Sequence, residues 1–208
     1  YTRRPLIKWT AQATAPVAVW QDEPPRSTWI EQLFLFERLA PNPSLIPSDM
    51  SQRMDMFGLA VEICSENGFI WNRRHLMVRD FATSPTQPPE IREKFEFLGK
   101  KYWYSQEAAA AAPKRCAEIM RAVSQRLHKQ KAAGSPYLIG SRLTAVDIYW
   151  ACSVALLRPL PDELCEMPPL FREVYYNTDP VLNDALDPIL TEHRDFIYHT
   201  YLELPVRL

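Results

Sequence analysis

The sequence predicts a mainly α-helical protein, and three observations carry that reading. Proline is abundant at 19 residues and glycine scarce at 5. Such a chain suits helices separated by Pro-punctuated loops better than a sheet that needs many tight turns. Apolar residues recur at steps of three and four in several segments, the spacing of one helix face. Two stretches, "STWIE" and "LTAVD", place a Thr three residues ahead of an acidic residue at the head of an apolar run. That is the signature of a capping box. The 208 residues are 47% hydrophobic and 24% charged. This is a globular composition, long enough to bury a core as one domain or two small ones. A formal net charge of −1 gives no reason to expect nucleic acid or a membrane surface as partner. No apolar run approaches the ~18–20 residues of a membrane span.

Residues 1–26 read as short and broken. "APVAVW" (Ala15–Trp20) predicts a brief buried strand, and "QDEPPR" a turn after it. "STWIEQLFLFERLA" predicts a helix. Thr28 can accept a bond from the free N–H groups of the first turn, and Glu31 can reach back to the Thr28 amide. Ile30, Leu33, Phe34 and Leu39 recur near helical spacing, and the helix stops before Pro41. Ala40–Asp49 holds three prolines in ten residues, which marks a linker. The expected division is 1–40, a linker over 41–49, and a helical domain over 50–208.

Ser48–Trp71 reads as one long helical segment, with Met50, Met54, Phe57, Val61 and Cys64 at steps of three and four. "RDFATSPTQPPE" breaks it. The next helix carries Pro89 near its first turn, where a missing N–H costs nothing. Ser105–Ala133 reads as a long polar-faced helix whose Ala run signals propensity only. Pro113 either kinks it or starts a second helix. "SPYLIG" is extended and closes on Gly140. Thr144 then caps a helix, Asp147 takes its third position, and Leu143 can staple onto Ile148. The carboxylate also favours the positive end of the helix dipole. A cap of this kind is worth roughly 0.5–2 kcal/mol, and the reading of Asp147 is a structural cap. The residues that follow are apolar on nearly every face, as in a central helix. Two more helical segments close the chain, Pro169–Asn177 and Asp179–Leu202.

Cys64, Cys116, Cys152 and Cys165 show no CxxC and no metal-ligand spacing, and the four histidines share none either. No metal site is expected. Reduced cysteines within apolar segments, and no secretory signal pattern, point to a cytoplasmic protein.

A short strand-and-helix piece ahead of a five- or six-helix domain, with "YLIG…LTAVDIYWA" late in the chain, is similar to the cytosolic glutathione transferases. In that family a Leu/Gly turn and a Thr-x-x-Asp cap open the core helix of an all-helical C-terminal domain, here Thr144 and Asp147. "TAPVAVW" resembles the segment that carries a cis-proline ahead of the third strand of a thioredoxin-like domain, here Pro16. "RSTWIEQLFLFERLAP" resembles the helix that follows. The resemblance covers almost the whole chain. The late cap is its most specific part and the middle helices contribute little. It implies a partial thioredoxin-like α/β domain followed by the family's all-helical domain.

The resemblance also implies a ligand. The Ala15 backbone beside Pro16 pairs with the cysteinyl part of glutathione like a strand edge. Ser27 and Thr28 stand where an acidic or amide residue and a Ser hold the γ-glutamyl end. Thr28 keeps a hydroxyl and the helix amides, which suit a carboxylate, whereas Ser27 lacks the carboxylate or amide that meets the ligand amine. The family's first strand and helix, with the Ser, Tyr or Cys that acts on the thiol, have no counterpart. About the first 40–60 residues of such a domain are expected to be absent, since it needs one more βαβ unit to close a sheet.

Trp71, Arg74, Tyr102 and Trp103, with Arg73, His75 and Tyr104 nearby, are expected to border a pocket for a small apolar electrophile between the domains. The implied chemistry is transfer of the glutathione thiolate to that electrophile. Only the thiolate attacks efficiently, so its pKa must be lowered. A non-catalytic binding or assembly module of the same fold is the alternative, and an unrelated all-α protein the third. A homodimer is expected through the Trp29–Phe36 helix and the Met50–Phe57 face.

Overall fold

The computed structural model describes residues 4–12 and 15–207. It divides into two compact units, Tyr1–Pro47 and Ser48–Leu208. The protein is mainly helical. Among the described residues there are ten helices and no named strand, only two isolated β-bridges, Ala18–Arg26 and Cys165–Val206.

The first unit holds α1 (Arg4–Thr10) and α2 (Trp29–Leu39). The stretch read as broken therefore contains a helix, whose Thr10 hydroxyl is buried and donates to Leu6 O at 2.8 Å. The buried strand expected over Ala15–Trp20 is not formed. Thr14, which opens the quoted segment, lies outside the described residues. Val17, Ala18 and Val19 are half-buried, and pairing is a single antiparallel bridge in which Ala18 and Arg26 exchange bonds of 2.9 Å. Sequence explains the short ladder. The next hydrogen-bonded pairs in register are Pro16 with Thr28 and Trp20 with Pro24, and neither proline has an N–H to donate.

The Thr28–Glu31 capping box at the head of α2 forms as expected. The helix buries Gln32, Leu33 and Leu35, while Phe34, Phe36 and Leu39 are exposed. Of the residues that spacing picked out, Leu33 turns inward and Ile30 is half-buried, whereas Phe34 and Leu39 face outward. A polar residue, Gln32, occupies the inward stripe because the loop carbonyls beneath need a donor. The linker folds back on α2, where the Glu37 carboxylate accepts from Ser44 Oγ at 2.5 Å and Leu45 N at 2.7 Å.

The second unit runs from α3 (Met50–Cys64) to α10 (Pro188–Tyr201). The long segment expected over Ser48–Trp71 is two helices, α3 and α4 (Phe69–Phe81). The turn between them needs a glycine. A Cβ on Gly68 meets Glu62 O at 2.7 Å and Ser65 O at 2.8 Å. Helix α3 buries Met56, Ala60 and Ile63 and leaves Met50, Met54 and Val61 exposed.

Helix α5 (Pro89–Lys101) starts on Pro89 as expected, and α6 runs unbroken from Gln106 to Ala132 through Pro113. Ala109 and Ala112 of its Ala run are buried in line with Cys116, Met120, Val123 and Leu127. Their small side chains thus serve packing as well as propensity. Helix α7 (Ala145–Val154) packs on α10 and α3, and α4 packs on α6 and α5. Trp150 of α7 is fully buried, its ring 5.3 Å from that of Phe69. The last expected helix is also two, α9 (Pro180–Asp184) and α10, after the short α8 (Pro169–Tyr175). Asp187 caps α10 through Ile189 N, which ends α9 and restarts the helix. Among its described residues the unit therefore holds eight helices rather than five or six.

Candidate functional sites

In the first unit, the Ala15–Pro16 peptide is cis, and Ala15 and Pro16 are exposed. Ser27 is half-buried and Thr28 exposed. Gln32 links these positions, although sequence reading overlooked it. Its Nε2 donates to Pro16 O at 2.9 Å and to Arg26 O at 3.1 Å, and its side chain is largely buried. The segment at Pro16 and the residue just before Ser27 are thus fixed to one helix face. An amide on a buried stripe was the available signal, because such a group must find partners.

The start of α2 is already engaged. Thr28 Oγ1 donates to Glu31 Oε2 at 2.6 Å, and Thr28 N donates to the same oxygen at 3.3 Å. These bonds hold the Glu31 carboxyl below its usual range, the hydroxyl contributing most. Nearby, Glu23 bridges Arg26 and Arg38, each at 2.5 Å, closing the turn onto α2. Bonds to Arg38 and then Arg26 lower its pKa.

In the second unit, the expected aromatic residues do come together, on α4 and at the end of α5. Trp71 meets Tyr102 edge-on at 4.8 Å and Trp103 at 5.9 Å between ring centroids. Lys101 Nζ lies 5.2 Å from the Tyr102 ring centre. Arg74, one turn along α4 from Trp71, donates through Nη1 to Met77 Sδ at 3.3 Å. Its neighbour Arg73 has a different role. It is buried, donates to Leu156 O at 2.9 Å and Val174 O at 3.1 Å, and burial lowers its pKa to about 10. It ties α4 to the chain beyond α7. His75 is also buried, which lowers its pKa, and its ring lies 6.2 Å from Tyr104.

Asp147 is fully buried and does more than cap. Its Oδ2 accepts from Thr144 N at 2.9 Å and Thr144 Oγ1 at 2.7 Å. Its Oδ1 accepts from Leu138 N at 2.7 Å and His193 Nε2 at 3.0 Å. The cap thereby joins the "YLIG" turn, α7 and α10. Leu143 and Ile148 pack on the same apolar cluster, as the staple predicts.

All four cysteines are free. Burial pushes the thiols of Cys64 and Cys116 up to about 12 and also raises Cys152 and Cys165. None is poised as a thiolate nucleophile. Among the described residues no group of three or more His, Cys, Asp and Glu is arranged to hold a metal ion. No described helix is long and apolar enough to cross a membrane. A cavity of about 450 Å³, unforeseen from sequence, lies between α6 and α10, lined by Leu127, Lys131, Pro136, Ile189, His193 and Phe196. Its walls lie some sixty positions apart in the chain, so no local pattern announces it. Comparison with models of protein families, with curated proteins and with solved structures found no match.

Proposed function

We propose that the chain is a glutathione transferase-like protein that presents the glutathione thiolate to a small apolar electrophile. The first unit then corresponds to part of a thioredoxin-like domain and the second to the family's helical domain. One observation carries this reading. Gln32 fixes the Pro16 carbonyl and the residue before Ser27 to the same helix, so the Ala15 backbone and the Thr28 helix start belong to one small platform. In the pattern the chain resembles, a backbone edge beside a cis-proline and a helix N-terminus with a hydroxyl are together complementary to a short peptide bearing a carboxylate. The buried Thr144–Asp147 cap supports the same assignment for the second unit. In the reaction the thiolate sulfur bonds to an electrophilic carbon of the acceptor, and the leaving group departs with its electron pair. The cysteines of the chain take no part, since burial keeps them protonated.

A second reading, a non-catalytic binding or assembly module in the cytoplasm, is favoured by two features of the platform. Ser27 offers no charge to a ligand amine, and the Glu31 carboxylate already occupies the Thr28 N–H and hydroxyl. Calorimetric titration with glutathione tests the shared part. Wild type should bind weakly, because an unpaired amine costs on the order of 1–3 kcal/mol, about one to two decades in affinity. Thr28→Val should weaken binding further, and Ser27→Glu should leave it unchanged or tighten it. No heat up to millimolar ligand sinks the glutathione reading. Binding without consumption of glutathione in the presence of apolar electrophiles selects the module.

A homodimer belongs to either reading. Phe34, Phe36 and Leu39 on α2, and Met50, Met54 and Val61 on α3, are exposed apolar side chains suited to a second copy. Light scattering at micromolar concentration should give about twice the 24.2 kDa chain mass; a monomer mass refutes it.

A further inference from the structure

The end of α5 carries a residue that its own turn does not favour. Tyr104 N donates to Gly99 O at 2.9 Å and Tyr102 N to Leu98 O at 3.1 Å, the bonding of a helix that ends through a left-handed residue. That residue is Trp103, at φ 48°. Glycine or asparagine takes this position readily, whereas a bulky side chain pays a steric penalty. Burial does not offset it, because Trp103 is 69% exposed. Both backbone and solvation therefore oppose an indole here, and a residue held against both is a sign of a binding role.

The surroundings state what would bind. Trp71 stands edge-on to both Tyr102 and Trp103, so the three rings form a corner with much of the Trp103 ring open. Two cations belong to its surroundings, Arg74 one turn along α4 from Trp71 and Lys101 over the Tyr102 ring. Among the described residues neither is paired with a carboxylate: Arg74 donates to the Met77 sulfur, with Nε buried and unpartnered, and Lys101 sits over Tyr102. Several other cations of this unit, Arg79, Arg115, Arg121, Arg126 and Arg172, each hold an acidic side chain. His75, buried on α4 with its ring near Tyr104, has an unpartnered Nδ1. Open aromatic rings beside uncompensated positive charge fit a flat apolar body with an acid group.

We propose that the Trp71–Tyr102–Trp103 corner binds a planar aromatic anion, its ring stacked on Trp103 and its acid group on Arg74 and Lys101. This deepens the proposed function by naming the class of acceptor and rests on it for the role of the site, while the binding itself does not require glutathione. The α6–α10 cavity is less suited to such a ligand, because Glu192 lies 3.5 Å from Lys131 at its rim and neutralises it.

The test uses the full chain and two probes of nearly equal shape, 2-naphthoate and the neutral 2-naphthamide, followed by calorimetry. Wild type should bind the acid about tenfold or more tighter than the amide. Trp103→Gly should lower the affinity for both by about tenfold while its melting temperature stays level or rises, because glycine relaxes the turn. If Trp103→Gly melts early, Trp103→Asn keeps the left-handed turn and takes its place. Arg74→Gln should weaken 2-naphthoate and leave 2-naphthamide unchanged. No binding of 2-naphthoate at millimolar concentration overturns the proposal, as does equal affinity for the two probes or unchanged affinity in the Trp103 variant. Glutathione is titrated on the same variants. Its loss with naphthoate binding intact counts against the glutathione reading alone, and the converse counts against the aromatic-anion site alone.

Discussion

Asp147→Ala removes a single carboxylate and strands four donors. Leu138 N, Thr144 N, Thr144 Oγ1 and His193 Nε2 all end on that carboxylate, at 2.7 to 3.0 Å. Asp147 and Leu138 are fully buried and Thr144 and His193 nearly so, which leaves the donors without ready access to water. A helix cap alone is worth about 1 kcal/mol. Each buried donor left unsatisfied costs about 1–3 kcal/mol, reduced where the site relaxes or admits water. With four such donors, partly relieved by relaxation, a cost of about 3–5 kcal/mol is expected here. It exceeds the value of about 1 kcal/mol for a local cap alone, because Leu138 and His193 come from outside the capping box.

The assay is urea unfolding together with a thermal melt. In a chain of this length 1 kcal/mol moves the melting temperature by about 2–4 °C, so a fall of about 6–20 °C is expected. A double-mutant cycle with His193→Leu apportions the effect. If the His193 bond matters as the geometry shows, the two changes together should cost clearly less than their sum. Activity or ligand binding per folded molecule should be unchanged. A normal melting temperature with abolished function refutes the structural role, and a cost below about 1 kcal/mol refutes the four-donor account.

Gly68→Ala should destabilise by about 1–3 kcal/mol in urea unfolding, because its Cβ meets the backbone carbonyls of Glu62 and Ser65, which cannot swing aside; an unchanged midpoint refutes this. The Asp187 carboxyl is held down from 3.8 to about 2, by the Ser124 hydroxyl first and by His128 and the Ile189 amide after the desolvation that opposes them. Its folded pKa lies below its unfolded value, so the stabilisation is present above pH about 4 and is lost as pH falls toward 2. The side chain is 33% exposed, so screening limits this to about 1 kcal/mol. Ser124→Ala should flatten that part of the pH–stability profile, and identical acid limbs for the two proteins argue against it.

The helical architecture was legible where sequence signals are local. Both Thr-x-x-acid boxes formed at the expected residues, and Pro89 opened α5. What failed depended on groups that are not neighbours in the chain. The α3–α4 break rests on a close approach of Gly68 to Glu62 and Ser65, and an apolar run masks it. The strand at Ala15 failed because register sets two prolines in the donor positions. That follows only once the Ala18–Arg26 pairing is known. On α2 and α3, spacing found an apolar stripe, but both helices carry more than one, and tertiary packing decides which turns inward.

The candidate sites divide in the same way. Thr28 and Asp147 declare themselves because a cap is a property of four consecutive residues. Trp71, Tyr102 and Trp103 could be suspected from composition, but their meeting depends on how α5 returns to α4, and the left-handed turn that exposes Trp103 has no glycine to mark it. The partners of Gln32 and His193 were not legible, since each of these residues acts across a fold: one on the loop at Pro16, the other on a cap 46 positions away. Both are polar side chains buried on helices, where an unpaired group is costly and a partner is therefore required. A buried amide or imidazole on an otherwise apolar stripe is for that reason a better pointer to long-range structure than the apolar residues around it. Here the two residues mark the places where each unit is tied together: the platform proposed for glutathione in the first, and the start of the central helix in the second.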